Sequence, residues 1–271
     1  MKIHSTAIIH ESAKLHDSVE VGPYAIIGEG VTIGEGSTVG AHAVVEFAEI
    51  GKNNRIFHHA SVGTEPQDLK FEGEVAPLRM GDNNTVREYC QLNRGTKASG
   101  ETRIGSNCLF CAFTHVAHDC VIGNYVIMVS FSALAGHVEL GTGCILSAHV
   151  GVHQFVRVGE GAMLSGGSKV GKDVPPFCLT QGDRATLRGV NVVGLRRSGL
   201  PLEAVKEVRR AYRDLFLSGL SLEEGIKKAK TSNPSKPAAG MISFVEESLK
   251  SRGITRPLTS EKAEQEEGVA A

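Results

Sequence analysis

The sequence contains no tryptophan, and aromatic residues make up only 5% of its 271 positions. A core built from it rests on small aliphatic side chains, which suit thin stacked layers better than a bulky interior. No stretch reaches the ~20 consecutive apolar residues needed to cross a bilayer, and Met1-Lys2-Ile3-His4-Ser5 lacks the apolar run of a secretory signal. A soluble, cytoplasmic protein is therefore expected. Net charge is missing as well: at −1 the chain has no global field to draw nucleic acid or membrane, so a charged partner must be met by a local patch. The tract from Lys169 to Arg213 offers one, with ten Lys/Arg against four acids.

What the chain has in excess is glycine, 32 residues, and a rhythm. From Ile3 an apolar residue recurs every sixth position (Ile9, Leu15, Val21, Ile27, Ile33, Val39, Val45), with a small or β-branched residue four places after each, as at Ala7, Ala13, Val19 and Ala25. One residue is dropped before Ile50. The beat then breaks over Gly63 to Arg79 and again around Ala98-Ser99-Gly100, and from Ile104 it runs unbroken through Phe110, Val116 and Ile122 to Val170. Six matches neither the 3.6 of a helix nor the alternation of an ordinary strand; it matches a parallel β-helix of short strands joined by tight bends. Three buried aliphatics per coil fall far short of the entropy of ordering a coil, so coils are stable only when stacked.

Cys90, Cys108, Cys120 and Cys144 fall at the small-residue position of the hexad, so the cysteines read as buried, reduced thiols and Cys108-Leu109-Phe110-Cys111 as a coincidence of register. After Val170 the beat decays through Val174-Pro175-Pro176. Helical spacing then takes over from Pro201 to about Ser218, Ser221-Leu222-Glu223-Glu224 is a capping box, and a third helix is expected from Gly240 to Lys250 after breaks at Asn233-Pro234 and Lys236-Pro237. The expected organisation is a mainly β chain. A β-helix spans residues 1–190, with loop insertions near 63–79 and 96–103. An α-helical C-terminal domain follows over 191–252, then a disordered tail over 253–271, whose end has no apolar face.

If three hexads make a coil, residues 18 apart stack one rung apart at about 4.8 Å. His118, Gly136 and Gln154 then form one column and Asp119 and His137 the next, with His153 beside Gln154 and His115 close to His118. A single histidine on such a surface is ordinary, but His115, His118, His137, His149 and His153 are concentrated in one short region. A correctly oriented imidazole can take a proton from an alcohol, and Asp119 can fix its tautomer. No nucleophile elbow is visible, which favours direct general-base attack over a covalent intermediate. Zinc is the rival reading. Gamma-class carbonic anhydrases, on the same kind of repeat, pair histidines as His-x4-His, whereas the close pair here is His115-x2-His118. A non-catalytic scaffold is the remaining alternative.

The hexads resemble those of the hexapeptide acyltransferases, which implies a left-handed β-helix with 18-residue triangular coils; spacing alone does not give the handedness. A closer resemblance rests on Gln67-Asp68-Leu69-Lys70, Thr114-His115-Val116-Ala117-His118-Asp119, Leu134-Ala135-Gly136-His137, Val152-His153-Gln154-Phe155, Asp173-Val174-Pro175-Pro176, Gln181-Gly182, Gly189-Val190-Asn191 and Gly194-Leu195-Arg196-Arg197. These segments are similar to the UDP-N-acetylglucosamine O-acyltransferase family, which opens lipid A synthesis. The resemblance implies that His118 is the general base for the sugar 3-hydroxyl, that Asp119 supports it, and that the Gly136 N–H stabilises the oxyanion. Asp68, His115, His137, His153 and Gln154 would bind the sugar and diphosphate or position the reacting groups. Asn191 and Arg197 would meet the nucleotide end, and Gly166 would belong to an acyl-length ruler with room for a longer chain.

The implied donor is a 3-hydroxyacyl thioester on acyl carrier protein, with no cofactor beyond the carrier's phosphopantetheine. The carrier is acidic, which gives the Lys169–Arg213 patch a use. The implied assembly is a homotrimer with active sites between subunits. The chain departs from the family at Asn93-Arg94-Gly95, where many members have His-Arg-Gly, and at Asn191-Val192-Val193, where an acid commonly follows Asn-x. Both departures lie near the family's sugar-nucleotide site, and they leave the acceptor open between the 3-hydroxy sugar and a 3-amino analogue acylated on nitrogen.

Overall fold

The computed structural model describes residues 2–258. Two-residue strands recur at the hexad beat and stack in parallel into three sheets, so the chain winds as a left-handed parallel β-helix. The register follows the sequence rhythm. Val116 pairs Leu134 and Leu134 pairs Val152, each 18 residues on. Ile33 pairs Ile50 across the dropped residue, while Ile56 pairs Val86 and Met80 pairs Ile104 across the two loops. The second loop is shorter than expected, because Thr102–Ile104 has already rejoined a sheet as a strand.

Hexad residues such as Phe110, Val116, Leu134 and Leu146 are wholly buried. The small position beside each corner is equally closed: Ala25, Ala43, Val126, Cys120 and Cys144 are 0% exposed. Burial raises the Cys120 and Cys144 thiols to about 12, so they remain protonated filler. All six cysteines are free.

One residue before the small position, most corners take a left-handed turn, and the occupants include Tyr24, His42, His59, Tyr89, Phe113, Phe131 and His149. Bulky side chains are rare at positive φ. Here their rings stack into a continuous ladder down one corner, with neighbouring centroids 5.0–5.1 Å apart, and ring contact offsets the backbone cost.

The β-helix does not continue as coils to residue 190. Once Pro175-Pro176 breaks the beat, Cys178–Gln181 and Thr186–Val190 form an antiparallel hairpin against the last coil. Four helices follow: α1 Val192–Arg197, α2 Leu202–Phe216, α3 Leu222–Thr231 and α4 Lys236–Ser248. The expected capping box opens α3, with Ser221 Oγ and the Glu224 carboxylate each accepting the other's backbone N–H. Two further expectations are corrected. The Lys236-Pro237 break is instead the start of α4, because the first turn of a helix has no use for the proline's missing N–H. Residues 253–258 are packed as well: Ile254 and Thr255 are each 4% exposed, and the segment bridges Asp173 and Leu187. The apolar Ile254 and the backbone pairing hold it there. The remainder of the expected disordered tail lies outside the described residues.

Candidate functional site

A cleft of about 1180 Å³ runs along one face of the β-helix. Its floor is a single sheet, stacked from His115–Val116, Ala133–Leu134, Gly151–Val152 and Lys169–Val170. The Gln67–Asp68 stretch of the first loop forms one wall, the hairpin turn Asp183–Thr186 another, and residues 254–258 close a third.

At its centre the predicted column forms. A Cβ on residue 136 would stand 2.6 Å from His118 Cε1 and 2.7 Å from its Nε2, so only glycine fits over the imidazole. Among the described residues the Gly136 N–H has no protein acceptor. His118 Nδ1 lies 2.7 Å from Asp119 Oδ2. Asp119 sits at a corner with φ +60, which turns its side chain into the wall, where it is fully buried.

Four donors converge on that carboxylate. The Thr96 N–H (2.9 Å) and the Ser99 hydroxyl reach Oδ1, and the Thr96 hydroxyl (2.7 Å) and His118 reach Oδ2. Burial alone raises its pKa, but the hydrogen bonds from Ser99, the Thr96 N–H, His118 and the Thr96 hydroxyl outweigh this and bring it down to about 2. An ionised Asp119 can only accept, so His118 carries its proton on Nδ1 and leaves Nε2 bare beside Gly136. Beside them, burial and the neighbouring His118 lower the pKa of His115.

His137 completes the cluster. Its ring meets that of His118 edge-on at 5.3 Å, stacks on Phe155 at 4.5 Å and places Nε2 3.5 Å from Asp119 Oδ2. Among the described residues, His118, Asp119 and His137 are the one group of three with ligand-type atoms within 4.8 Å of one another. A metal there would have to displace hydrogen bonds that already satisfy Asp119.

Of the sequence-derived residues, Asp68, His115, His118, Gly136, His153 and Gln154 line the cleft, with Asp119 and His137 directly behind it. Three do not join them in this chain. Asn191 caps α1, accepting the Gly194 N–H at 2.9 Å and donating to Gly161 O. Arg197 is exposed on α1, and Gly166 lies exposed at the corner that also carries His149.

The structure also adds residues that the rhythm did not point to. Thr96 and Ser99 come from the second inserted loop, and Arg252 and Ile254–Leu258 come from the C-terminal segment. The only sequence signal for the first pair was the interruption of the beat. Asn93, one of the departures from the family pattern, is wholly buried and donates to Glu65 O at 2.8 Å, which ties down the loop bearing Asp68.

A family described as Udp N-acetylglucosamine O-acyltransferase, Domain 2, matches residues 173–255, and one described as Bacterial transferase hexapeptide (six repeats) matches residues 12–47. The chain is 44% identical to the acyl-[acyl-carrier-protein]–UDP-N-acetylglucosamine O-acyltransferase of Aliarcobacter butzleri, over 72% of this chain and 76% of that protein. It is 48% identical to the protein of the same name from Myxococcus xanthus, over 76% and 80%. The crystal structure of a UDP-N-acetylglucosamine acyltransferase from Bacteroides fragilis superposes with a TM-score of 0.90 at 38% identity, covering 93% of this chain and 99% of that one.

Proposed function

The chain belongs to the UDP-N-acetylglucosamine O-acyltransferase family, and from that premise we propose that it moves a 3-hydroxyacyl group from acyl carrier protein to the 3-hydroxyl of UDP-N-acetylglucosamine, as the first step of lipid A synthesis. The observation that carries the reading is the His118 imidazole, held by Asp119 through Nδ1 with its bare Nε2 under the Gly136 backbone.

In this reading Nε2 takes the proton of the sugar hydroxyl as its oxygen attacks the thioester carbonyl. The Gly136 N–H donates to the oxyanion of the tetrahedral intermediate, and Asp119 stabilises the imidazolium. Collapse expels the phosphopantetheine thiolate, which recovers the proton from His118. No covalent enzyme intermediate and no cofactor are required. Asp68, His115, His137, His153 and Gln154 hold the sugar diphosphate and the reacting ends. The exposed Arg196, Arg197, Arg209, Arg210 and Arg213, with Lys169, Lys172 and Arg184 at the cleft, suit an acidic carrier.

Asn191, Arg197 and Gly166 lie away from this cleft, and a homotrimer in which a second copy presents them to it accommodates both groups of residues. No helix among the described residues is long and apolar enough to cross a membrane, in keeping with a cytoplasmic enzyme working on carrier-bound acyl groups.

The departures at Asn93 and Asn191 keep a second acceptor in view, a 3-amino UDP-sugar acylated on nitrogen by the same base. Mass spectrometry of the product from competing 3-hydroxy and 3-amino UDP-sugars, with a set of acyl-carrier chain lengths, tests the proposal. An ester at the 3-position as the main product supports it, an amide supports the alternative, and no acyl transfer with either sugar contradicts both.

A further inference from the structure

The C-terminal segment does more than close the cleft. Asp173 N–H donates to Gly253 O (2.9 Å), Thr255 N–H to Asp173 O (2.8 Å) and Leu187 N–H to Arg256 O (3.0 Å), so the segment is stitched to the last coil and the hairpin. Held this way, Arg252 extends its guanidinium to His153, with Nη2 2.8 Å from the ring Nδ1 and 3.3 Å from Gly171 O. Among the described residues Arg252 has no acidic partner, and its Nε is buried without an acceptor. The imidazole is its shortest contact.

Chemistry decides the direction of that bond. A guanidinium stays protonated and has no acceptor, so Arg252 donates and Nδ1 accepts. Nδ1 also lies 3.3 Å from Gln154 O, a contact that would need a proton on Nδ1. A bare Nδ1 excludes it, and the shorter, charge-assisted bond wins. The ring proton must then sit on Nε2, the nitrogen left for a molecule in the cleft that His153 lines.

We propose that Arg252 is a positioning residue for acyl transfer, holding His153 with Nδ1 bare and its proton on Nε2, ready to donate to an oxygen of the bound substrate. The inference rests on the acyl-transfer reading for its kinetic consequence, but not for the tautomer itself. Without Arg252 the ring is free to rotate or to turn Nδ1–H toward Gln154 O, and the donor in the cleft is lost.

The test combines spectroscopy and kinetics on the full chain. With 15N-histidine labelling, the His153 signals are identified by their loss in His153→Gln. The expected spectrum shows an unprotonated Nδ1 and a protonated Nε2 in the unsubstituted protein, and a change of tautomer in Arg252→Met. Arg252→Met is expected to lower kcat/KM by about ten-fold, the effect of one hydrogen bond to substrate, while Arg252→Gln, which keeps an N–H donor, recovers most of it. His153→Gln, with its amide nitrogen near the Nε2 position, should outperform His153→Asn, and adding Arg252→Met to His153→Gln should cost nothing further.

A protonated Nδ1 in the unsubstituted protein overturns the proposal, and that measurement needs no variant that might misfold. So does an Arg252→Met loss with an unchanged tautomer, or a further loss on the His153→Gln background, since either makes Arg252 act independently of His153. Failure of the acyl-transfer reading shows separately, as absence of product from the unsubstituted protein.

Discussion

Gly136 and His118 lie one coil apart, with the backbone of one directly over the ring of the other, and a Cβ at residue 136 would stand 2.7 Å from His118 Nε2. A repeat of 18 residues thus brings a backbone N–H without a protein acceptor among the described residues and an imidazole together at one point of the cleft. Neither partner can shift freely, because the His118 ring is held by Asp119 at 2.7 Å and the Gly136 carbonyl accepts the Phe155 N–H at 3.2 Å.

Gly136→Ala is therefore expected to displace the imidazole while leaving the coil intact. Turnover should fall by about 10²-fold, the cost of misplacing a reacting group by an ångström, with little change in thermal midpoint. Steady-state kinetics beside a melting curve checks this.

Asp119→Asn removes the acceptor that sets the His118 tautomer, and kcat should drop by about 10²-fold or more. Stability should respond too, and its sign follows from the direction of the shift. The folded carboxylate titrates at about 2 against an ordinary 3.8, so it contributes about 2 kcal/mol. That contribution is present above pH 3.8 and is lost as pH falls toward 2. Denaturant melts should separate parent and variant by that amount at pH 7, with the gap closing in acid.

Thr96→Val with Ser99→Ala removes two of the four donors to Asp119, the two hydroxyls, while the Thr96 N–H and His118 remain. The carboxylate pKa is expected to rise, moving the acid loss of stability to higher pH than in the parent. A profile that does not move would mean that the loop does not hold the carboxylate.

Five of the six cysteines are buried, and Cys111 is the partly exposed one. A thiol reagent should titrate one group in the native protein and six after denaturation. More than one fast-reacting native thiol would contradict the packed corners.

Phe110 is the largest of the fully buried side chains. Phe110→Ala should cost about 3–5 kcal/mol, measured by denaturant unfolding, because coils above and below are rigidly paired and cannot collapse into the void.

The rhythm made the coil legible because every sixth side chain must fill the same narrow interior; Ile104 through Val170 kept the beat without a break, and the His118–Gly136–Gln154 column followed from counting. Whatever interrupts the rhythm escaped it. Thr96 and Ser99 sit in a loop whose path to Asp119 is set by tertiary contacts, with no periodicity to mark it. Arg252 reaches His153 across 99 residues of sequence, through a segment whose order comes from backbone pairing with Asp173 and Leu187 and whose composition resembles a tail. The start of α4 was hidden because a proline reads as a break unless the chain is known to be entering a helix. The ring ladder was hidden because its members occupy left-handed turns where sequence favours glycine and asparagine.

The proposed transfer depends on His118 as the base. Its most direct test is carrier-thioester release with UDP-N-acetylglucosamine by His118→Ala, alongside circular dichroism and a melting curve for the variant. Turnover is expected to fall by about 10³-fold or more, with an unchanged β-helix spectrum. Near-normal turnover by a folded His118→Ala protein would contradict it.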